Sequence, residues 1–470
     1  MEIKQSIWNL SGTLIASLIG ILSLPFLTKY LDLYDYGIYA LSLTFSNFVV
    51  GMAHNSLGFL LQEKYIFVTK KEKFKIRSLL LYKTIKNTIL FSAVLIIICS
   101  IVKFLTLNKF EFLLGPIFIC ILGSVFNSTS LVSIDICALS YRSKNIFFIQ
   151  TIKALFHFLI CLLILRYPIN RYLVLPIGYF FSSLIIFIYS LNILSPFDLR
   201  IHDAEYEADI KRKFKYPITA GFLNQALLLI EKNFIIFILG PAQLGILQHA
   251  QTYKQYSMTV MNSISLSFNP LFLKNTQLDN LNLNSISKYW RIAQTFLSNS
   301  LVLFLIFGKE IINFLTNNKF TEAYPISVIL LLSLFINSLA KSNSLSNISN
   351  QKAEINTKAS ISGSVLKYIL IFSLIPKIGI SGSALADLFS TIFSRIILVL
   401  INPFKSFINY RNALPKIVFL FMAFYFVLNS FFILSLSSKI FIYFVFISIL
   451  FYLNRQFIKV IFSKFKNKLS

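Results

Sequence analysis

Apolar runs of roughly 20 residues recur from one end of this 470-residue chain to the other, and each is long enough to cross a hydrocarbon core of about 30 Å. A single run of this kind fits a buried core helix, but a dozen or more in series do not. The chain is 56% hydrophobic and 13% charged, whereas soluble proteins carry about 25% charged residues, so polar side chains are too few to cover a water-facing surface of this size. No stretch shows the alternation of a membrane barrel strand, and irregular backbone facing lipid would leave its polar groups unpaired. The sequence predicts an all-α polytopic membrane protein.

The runs place spans near Trp8–Leu27, Ile38–Leu60, Asn87–Ile101, Leu113–Ile134, Ile146–Leu165 and Leu173–Leu194, then near Pro217–Leu239, Leu244–Ser267, Ala293–Phe307, Pro325–Ala340, Ser360–Ile375 and Gly379–Ile401. Two more, near Ile417–Leu434 and Ile440–Leu453, bring the expected total to about fourteen. With Lys4 inside and strict alternation, Lys and Arg divide roughly thirty inside to nine outside, the bias expected of cytoplasmic loops. A missed helix would scramble that division, so it supports both the helix count and an inner-membrane topology with both termini cytoplasmic. The formal charge of +26 is then mainly a topology signal and an attraction to anionic lipid, not a nucleic-acid footprint. The first span reads as a true span, not a cleaved signal. Cys99, Cys120, Cys137 and Cys161 fall in or beside apolar runs and read as small hydrophobes, with no metal-ligand spacing.

An internal repeat organises these spans. Phe104–Phe110 (FLTLNKF) recurs as Phe314–Phe320 (FLTNNKF), identical at six of seven positions, and both copies follow the third predicted helix of a half. Leu31, Gly37 and Ile38 recur as Leu239, Gly245 and Ile246, and Pro168 as Pro376. One offset, give or take a couple of residues, therefore fits three corresponding turns. Each half has an even number of spans, so the two are parallel repeats about an axis along the membrane normal, and a substrate site is expected between them near the midplane. The expected domains are a six-helix bundle at 1–196, a cytoplasmic linker at 197–216, a second bundle at 217–403, and two extra helices with a basic tail at 404–470.

Neither face has room for a catalytic domain, and no P-loop, HExxH, GxSxG or DxD motif occurs, which argues against an ATP-driven pump or an enzyme and calls for no cofactor or metal. The notable chemistry lies inside the spans. Lys153, Lys232, Lys254, Lys367 and Arg395 are placed within the membrane, where a central charge costs about 2.5–3.5 kcal/mol and is expected to face a cavity or a partner. Lys254 is the strongest case, about ten residues into its span and hence roughly 15 Å deep. Gln248, Gln251, Gln255 and Asn262 share one stripe of the eighth span. At the repeat offset Gln255 and Asn262 correspond to Asn47 and His54, so the second and eighth spans are read as two walls of one cavity, with interhelical hydrogen bonding as the alternative. Glu231, Asp387 and Asp135 are candidates for carrying a coupling proton, or for local ion pairs with basic neighbours. His157 and His249 are isolated on apolar helices and do not suggest a metal.

The turn motifs carry a resemblance. Leu24–Gly37 (LPFLTKYLDLYDYG), Tyr216-Pro217, Leu239–Gly245 (LGPAQLG) and Ile375–Ala384 (IPKIGISGSA) resemble, in order and spacing, the turns of bacterial O-antigen and capsule repeat-unit flippases of the Wzx type. These belong to the polysaccharide transporters of the multidrug/oligosaccharidyl-lipid/polysaccharide exporter superfamily. The resemblance implies two six-helix bundles in a MATE-like V plus two C-terminal helices. It also implies translocation of undecaprenyl-pyrophosphate-linked oligosaccharide from the cytoplasmic to the periplasmic leaflet, among membrane lipids and with polysaccharide polymerase and chain-length proteins as partners. No fixed functional motif of that family transfers by position. The basic residues are therefore assigned to pyrophosphate, and Asn47, His54, Gln251, Gln255 and Asn262 to sugar, on their own chemistry. A multidrug cation exporter and a lipid II flippase on the same fold, and a polysaccharide polymerase, are the alternative readings; a cation exporter calls for an acidic interior, not a basic one.

Overall fold

The computed structural model describes residues 2–64, 69–105, 111–140, 142–198, 215–277, 283–339, 344, 347, 353–401, 413–431, 435–450 and 452. Most of the expected linker, most of the first copy of the FLTLNKF repeat, and the basic tail lie outside these residues.

The described residues form α1 (Glu2–Tyr30), α2 (Leu33–Lys64), α3 (Lys70–Leu105), α4 (Glu111–Leu139), α5 (Ser143–Ile164), α6 (Val174–Leu194), α7 (Lys215–Leu239), α8 (Pro241–Gln277), α9 (Leu283–Thr316), α10 (Ala323–Leu339), α11 (Ala353–Ile378), α12 (Ser381–Ile401), α13 (Ala413–Phe431) and α14 (Leu436–Leu450). Ten helices are long and apolar enough to cross a membrane, and shorter apolar helices lie at Ala323–Leu339, Pro415–Asn429 and Leu436–Leu450. No strand occurs among the described residues. The protein is an all-helical, multi-pass membrane protein, as the apolar runs predict.

Two helices are longer than the apolar runs that announce them. The third span was expected from Asn87, but α3 begins at Lys70. Thr69 and Glu72 form a reciprocal capping box: the Thr69 N–H donates to the Glu72 carboxylate at 2.9 Å and the Glu72 N–H to Thr69 Oγ1 at 3.4 Å. That cap starts a helix in the polar region, and only its later turns are apolar. The eighth helix, α8, runs for 37 residues yet is not among the ten apolar spans. It packs against α1, α2, α7, α9 and α10, so protein shields much of its length, while Gln255 and Asn262 stay exposed.

Solvent and core are inverted relative to a soluble protein. Phe237, Phe314, Leu400, Phe441 and Leu420 are among the most exposed large side chains, the surface expected to contact acyl chains. Many buried residues are Ser or Thr, and their hydroxyls mostly return to their own helix: Thr28 to Leu24 O at 2.8 Å, Ser42 to Ile38 O at 2.8 Å, Thr44 to Ala40 O at 2.7 Å. This internal satisfaction lets small polar residues sit at helix–helix contacts. All four cysteines are buried free thiols.

The packing order repeats. The pairings α1–α5, α2–α3, α2–α4, α3–α4, α4–α6 and α5–α6 recur as α7–α11, α8–α9, α8–α10, α9–α10, α10–α12 and α11–α12. Helices α7 and α11 end on Gly240 (φ +84°) and Gly379 (φ +64°). Each glycine donates its N–H back to the carbonyl four residues earlier, a left-handed cap that few other residues adopt without strain. The pair α13–α14 lies outside the repeat and packs on α9 through Tyr443, whose hydroxyl donates to Asn299 Oδ1 at 2.9 Å, and through the Lys439–Glu310 ion pair.

The halves meet where α1 and α2 cross α7, α8 and α9. In the first turns of α2 and α8 Gly37 and Gly245 face each other across this seam: a Cβ on Gly37 would lie 1.8 Å from the Pro241 carbonyl oxygen, and one on Gly245 would lie 2.0 Å from that of Leu33. Both relations obey the repeat offset, so the pseudo-two-fold axis passes between the two glycines. Lys319, in the second copy of the repeated motif, closes the same face. Its ammonium donates to Thr28 O at 2.6 Å and Leu31 O at 3.3 Å. Beside it the fully buried Phe320 packs on Tyr36 and His249, with ring centroids at 5.1 and 4.4 Å.

Gly37→Ala and Gly245→Ala are each expected to force α2 and α8 apart at a cost of about 1–3 kcal/mol or more. Thermal melting of the purified protein checks this: both variants should melt several degrees below wild type. Gly115→Ala, whose nearest neighbour would be 3.9 Å away, should melt unchanged.

Candidate functional site

The second half holds a four-member charge network built from four helices. Glu231 comes from α7, Lys254 from α8, Lys367 from α11 and Asp387 from α12; none can be left unpartnered in a low-dielectric interior without a large penalty. Lys367 bridges the two acids, with Nζ 2.9 Å from Glu231 Oε2 and 3.5 Å from Asp387 Oδ1. Lys254 takes the other oxygen of Asp387 at 2.6 Å. Ser333 of α10 donates to Asp387 Oδ2 at 2.8 Å, and Ser383 donates to Glu231. The network is graded in access: Glu231 is 1% exposed, while Lys254 and Asp387 retain 23% and 19%. Asp387 and Lys367 line a cavity in which Lys254 and Glu231 take no part.

Among the described residues the three remaining intramembrane cations donate hydrogen bonds to neutral partners. Lys232, next in sequence to Glu231 but on another face, donates to Gln248 Oε1 at 2.8 Å. Lys153 donates to Asn127 and stands 5.5 Å over the Tyr179 ring. Arg395 donates through Nη2 to Asn337, and its buried Nε has no partner. The sequence expects these cations to face a cavity or a partner, and for Lys254 and Lys367 the partner is a carboxylate from another helix. Among the described residues Lys153, Lys232 and Arg395 have no carboxylate within ion-pair distance, so the cations of this set outnumber its acids.

The expected polar walls are resolved residue by residue. Asn47 and Gln255, related by the repeat offset, are both exposed, as is Asn262, and Gln251 is half-buried. Gln248 is turned toward α7 by Lys232. His54 sits apart from this set: its Nε2 lies 3.0 Å from Asp135 Oδ2, which joins a residue expected to contact sugar to one expected to carry a proton. His249 is a packing residue, with Nε2 2.9 Å from the Tyr253 hydroxyl.

Sequence reasoning missed the supporting groups, although a signal existed. On α12, Ser383, Asp387, Ser390, Thr391 and Ser394 recur at helical spacing; on α11, Ser360, Gly363, Ser364 and Lys367 do the same. These are polar stripes on one face of each helix, hidden by the apolar residues between them.

No family model matches the chain, and no curated protein matches it. Solved structures do. The lipid II flippase MurJ in an inward closed conformation superposes with a TM-score of 0.70 at 17% identity, covering 97% of this chain and 100% of that one. The fold is that of the MurJ and MATE transporters. The MATE multidrug transporter DinF-BH, in a ligand complex, gives a TM-score of 0.60 at 13% identity, and a single-residue mutant of the Vibrio cholerae MATE transporter VcmN gives 0.58 at 11%. Both cover 85% of this chain and 94% of the other. The MurJ likeness extends over nearly the full chain, whereas the two MATE transporters leave 15% of it uncovered.

Breaking the inner pair should strand a buried charge. Lys367→Met is expected to destabilise the protein by about 3–5 kcal/mol, while Lys367→Met with Glu231→Met should recover most of that loss. Unfolding midpoints of the purified variants decide it. A double variant no more stable than the single one would show that Glu231 does not depend on Lys367.

Proposed function

We propose that this protein is a flippase that moves a lipid-linked oligosaccharide, of the undecaprenyl-pyrophosphate class, from the cytoplasmic to the periplasmic leaflet of the inner membrane. The observation that carries this reading is the set of three intramembrane cations, Lys153, Lys232 and Arg395, whose hydrogen bonds among the described residues go to neutral amides and which form no ion pair there. Uncompensated positive charge at membrane depth attracts an anionic substrate, and a pyrophosphate is anionic throughout the physiological range. A multidrug cation would be repelled by the same charges. The exposed amides Asn47, Gln255 and Asn262 offer donors and acceptors to sugar hydroxyls, and the prenyl chain stays in lipid.

The motion proposed is alternating access by residues 1–196 against residues 217–403, with both termini cytoplasmic. The packing repeat supports two rigid units, and the seam glycines supply a contact about which they pivot. In this reading Lys254 and Lys367 are not the first anion contacts. They hold the second half together through Asp387 and Glu231, and the more exposed Lys254–Asp387 pair is where an incoming phosphate competes with a carboxylate. His54–Asp135 and the Asp387 network are the candidate proton carriers. O-antigen or capsule units are the glycans the turn motifs favour; a peptidoglycan precursor is the second reading, favoured by the full-length likeness to the lipid II flippase.

Reconstitution in liposomes tests the reading. Wild-type protein should transfer a short-chain polyprenyl-pyrophosphate glycan between leaflets and leave rhodamine-type cations untouched. Lys153→Ala and Lys232→Ala should each lower apparent affinity about 10- to 100-fold, the loss expected for a charge-assisted contact of about 1.5–3 kcal/mol. Transport of the cation but not of the lipid would overturn the proposal.

A further inference from the structure

A cavity of about 290 Å³ lies within the second half, lined by residues of α7, α10, α11 and α12 and by none of the first half. Its lining is mixed: Ser360, Ser364, Thr391, Ser394, Asn224 and Asn337 supply polar groups beside Leu227 and Leu228. Part of this lining is already ordered. Ser364 donates to Asn224 Oδ1 at 2.7 Å across α7 and α11, and the Ser333 and Thr391 hydroxyls are 3.0 Å apart across α10 and α12. Gly363 lets α11 and α12 close behind it, since a Cβ there would lie 2.7 Å from that of Ser394.

Charge in the cavity is unbalanced. Lys367 and Asp387 reach it already paired, to each other and to Glu231 and Lys254. Arg395 is the exception: its guanidinium has one amide partner and a buried Nε with none. Such a site calls for an anion, and the planar fork of a guanidinium matches the two oxygens of a carboxylate. Hydroxyls and amides together donate and accept, which suits a polyol and does not suit a prenyl tail. The volume stands at the lower end of ligand pockets, about 300 Å³, enough for one ring.

We propose that this cavity is a subsite for a single acidic sugar ring of the transported glycan, with Arg395 binding its carboxylate and the Ser, Thr and Asn side chains its hydroxyls. The inference rests on the flippase reading and deepens it by naming the substrate class: a glycan containing a uronic-acid residue.

The experiment uses the full chain in proteoliposomes and three short-chain polyprenyl-pyrophosphate disaccharides that differ in one ring: glucuronic acid, glucose, or glucose 6-phosphate. Wild-type protein should transfer the glucuronic acid lipid with at least tenfold higher efficiency than the glucose lipid. Arg395→Gln should abolish that preference, lowering transfer of the glucuronic acid lipid at least tenfold more than transfer of the glucose lipid. Arg395→Lys keeps the charge and the fold but loses the fork, and should give an intermediate preference. Equal transfer of the acidic and neutral lipids by wild type, or an equal loss of both in Arg395→Gln, overturns the subsite alone. A preference for the phosphate ring over the carboxylate ring overturns the carboxylate assignment. No transfer of any of the three lipids overturns the flippase reading, and the subsite with it.

Discussion

Two glycines related by the internal repeat bring the halves of this protein together. Gly37 and Gly245 let the backbones of α2 and α8 come so near that each Cα sits against a carbonyl on the opposite side of the seam. No side chain fits there, so the contact fixes where the halves cross and keeps the crossing symmetric. Phe320, packed between Tyr36 and His249, and Lys319, donating to the carbonyl end of α1, reinforce the same face. Everything deeper in the seam is free of that constraint. The polar residues of α8 can therefore vary in environment along its length, from Gln248 held by Lys232 to the exposed Gln255 and Asn262.

The two halves share a helix-packing plan but divide the electrostatics unequally. In the first half Lys153 rests on an amide and an aromatic face. In the second, two lysines and two carboxylates interlock across α7, α8, α11 and α12. A paired network is expensive to desolvate and adds little net stability over an apolar core. Its presence is better explained by what it does to neighbouring charge: by neutralising Lys254 and Lys367 it leaves Arg395 as the one unanswered cation among the cavity's lining residues. The Lys254–Asp387 pair and Arg395 therefore stand in different electrostatic settings, one neutralised by a carboxylate and the other held by an amide.

Much of this was legible beforehand. The helices follow from apolar runs because lipid tolerates no unpaired backbone, and the repeat follows from turn motifs because a turn needs particular residues at particular offsets. Polar helices were harder. α8 reads from the sequence as a span over Leu244–Ser267, yet the helix runs from Pro241 to Gln277, and the first turns of α3 are announced by the Thr69–Glu72 capping box, not by hydropathy. The polar stripes of α11 and α12 were present at helical spacing but were outnumbered by the apolar residues between them.

The sequence by itself determined the class of fold, the helix order, the twofold relation of the halves and the list of charges that must lie within the membrane. These depend on local composition and on period, which a linear chain displays. Tertiary structure decided which of those charges are free. Glu231 and Lys367 are 136 residues apart and Lys254 and Asp387 are 133 apart, so no local pattern announces either pair. Neutral amides on Asn127, Gln248 and Asn337 reach the other three cations only through helix packing. Pairing is a matter of a few ångströms between different helices, and that distance, not residue type, separates a structural lysine from one available to a substrate.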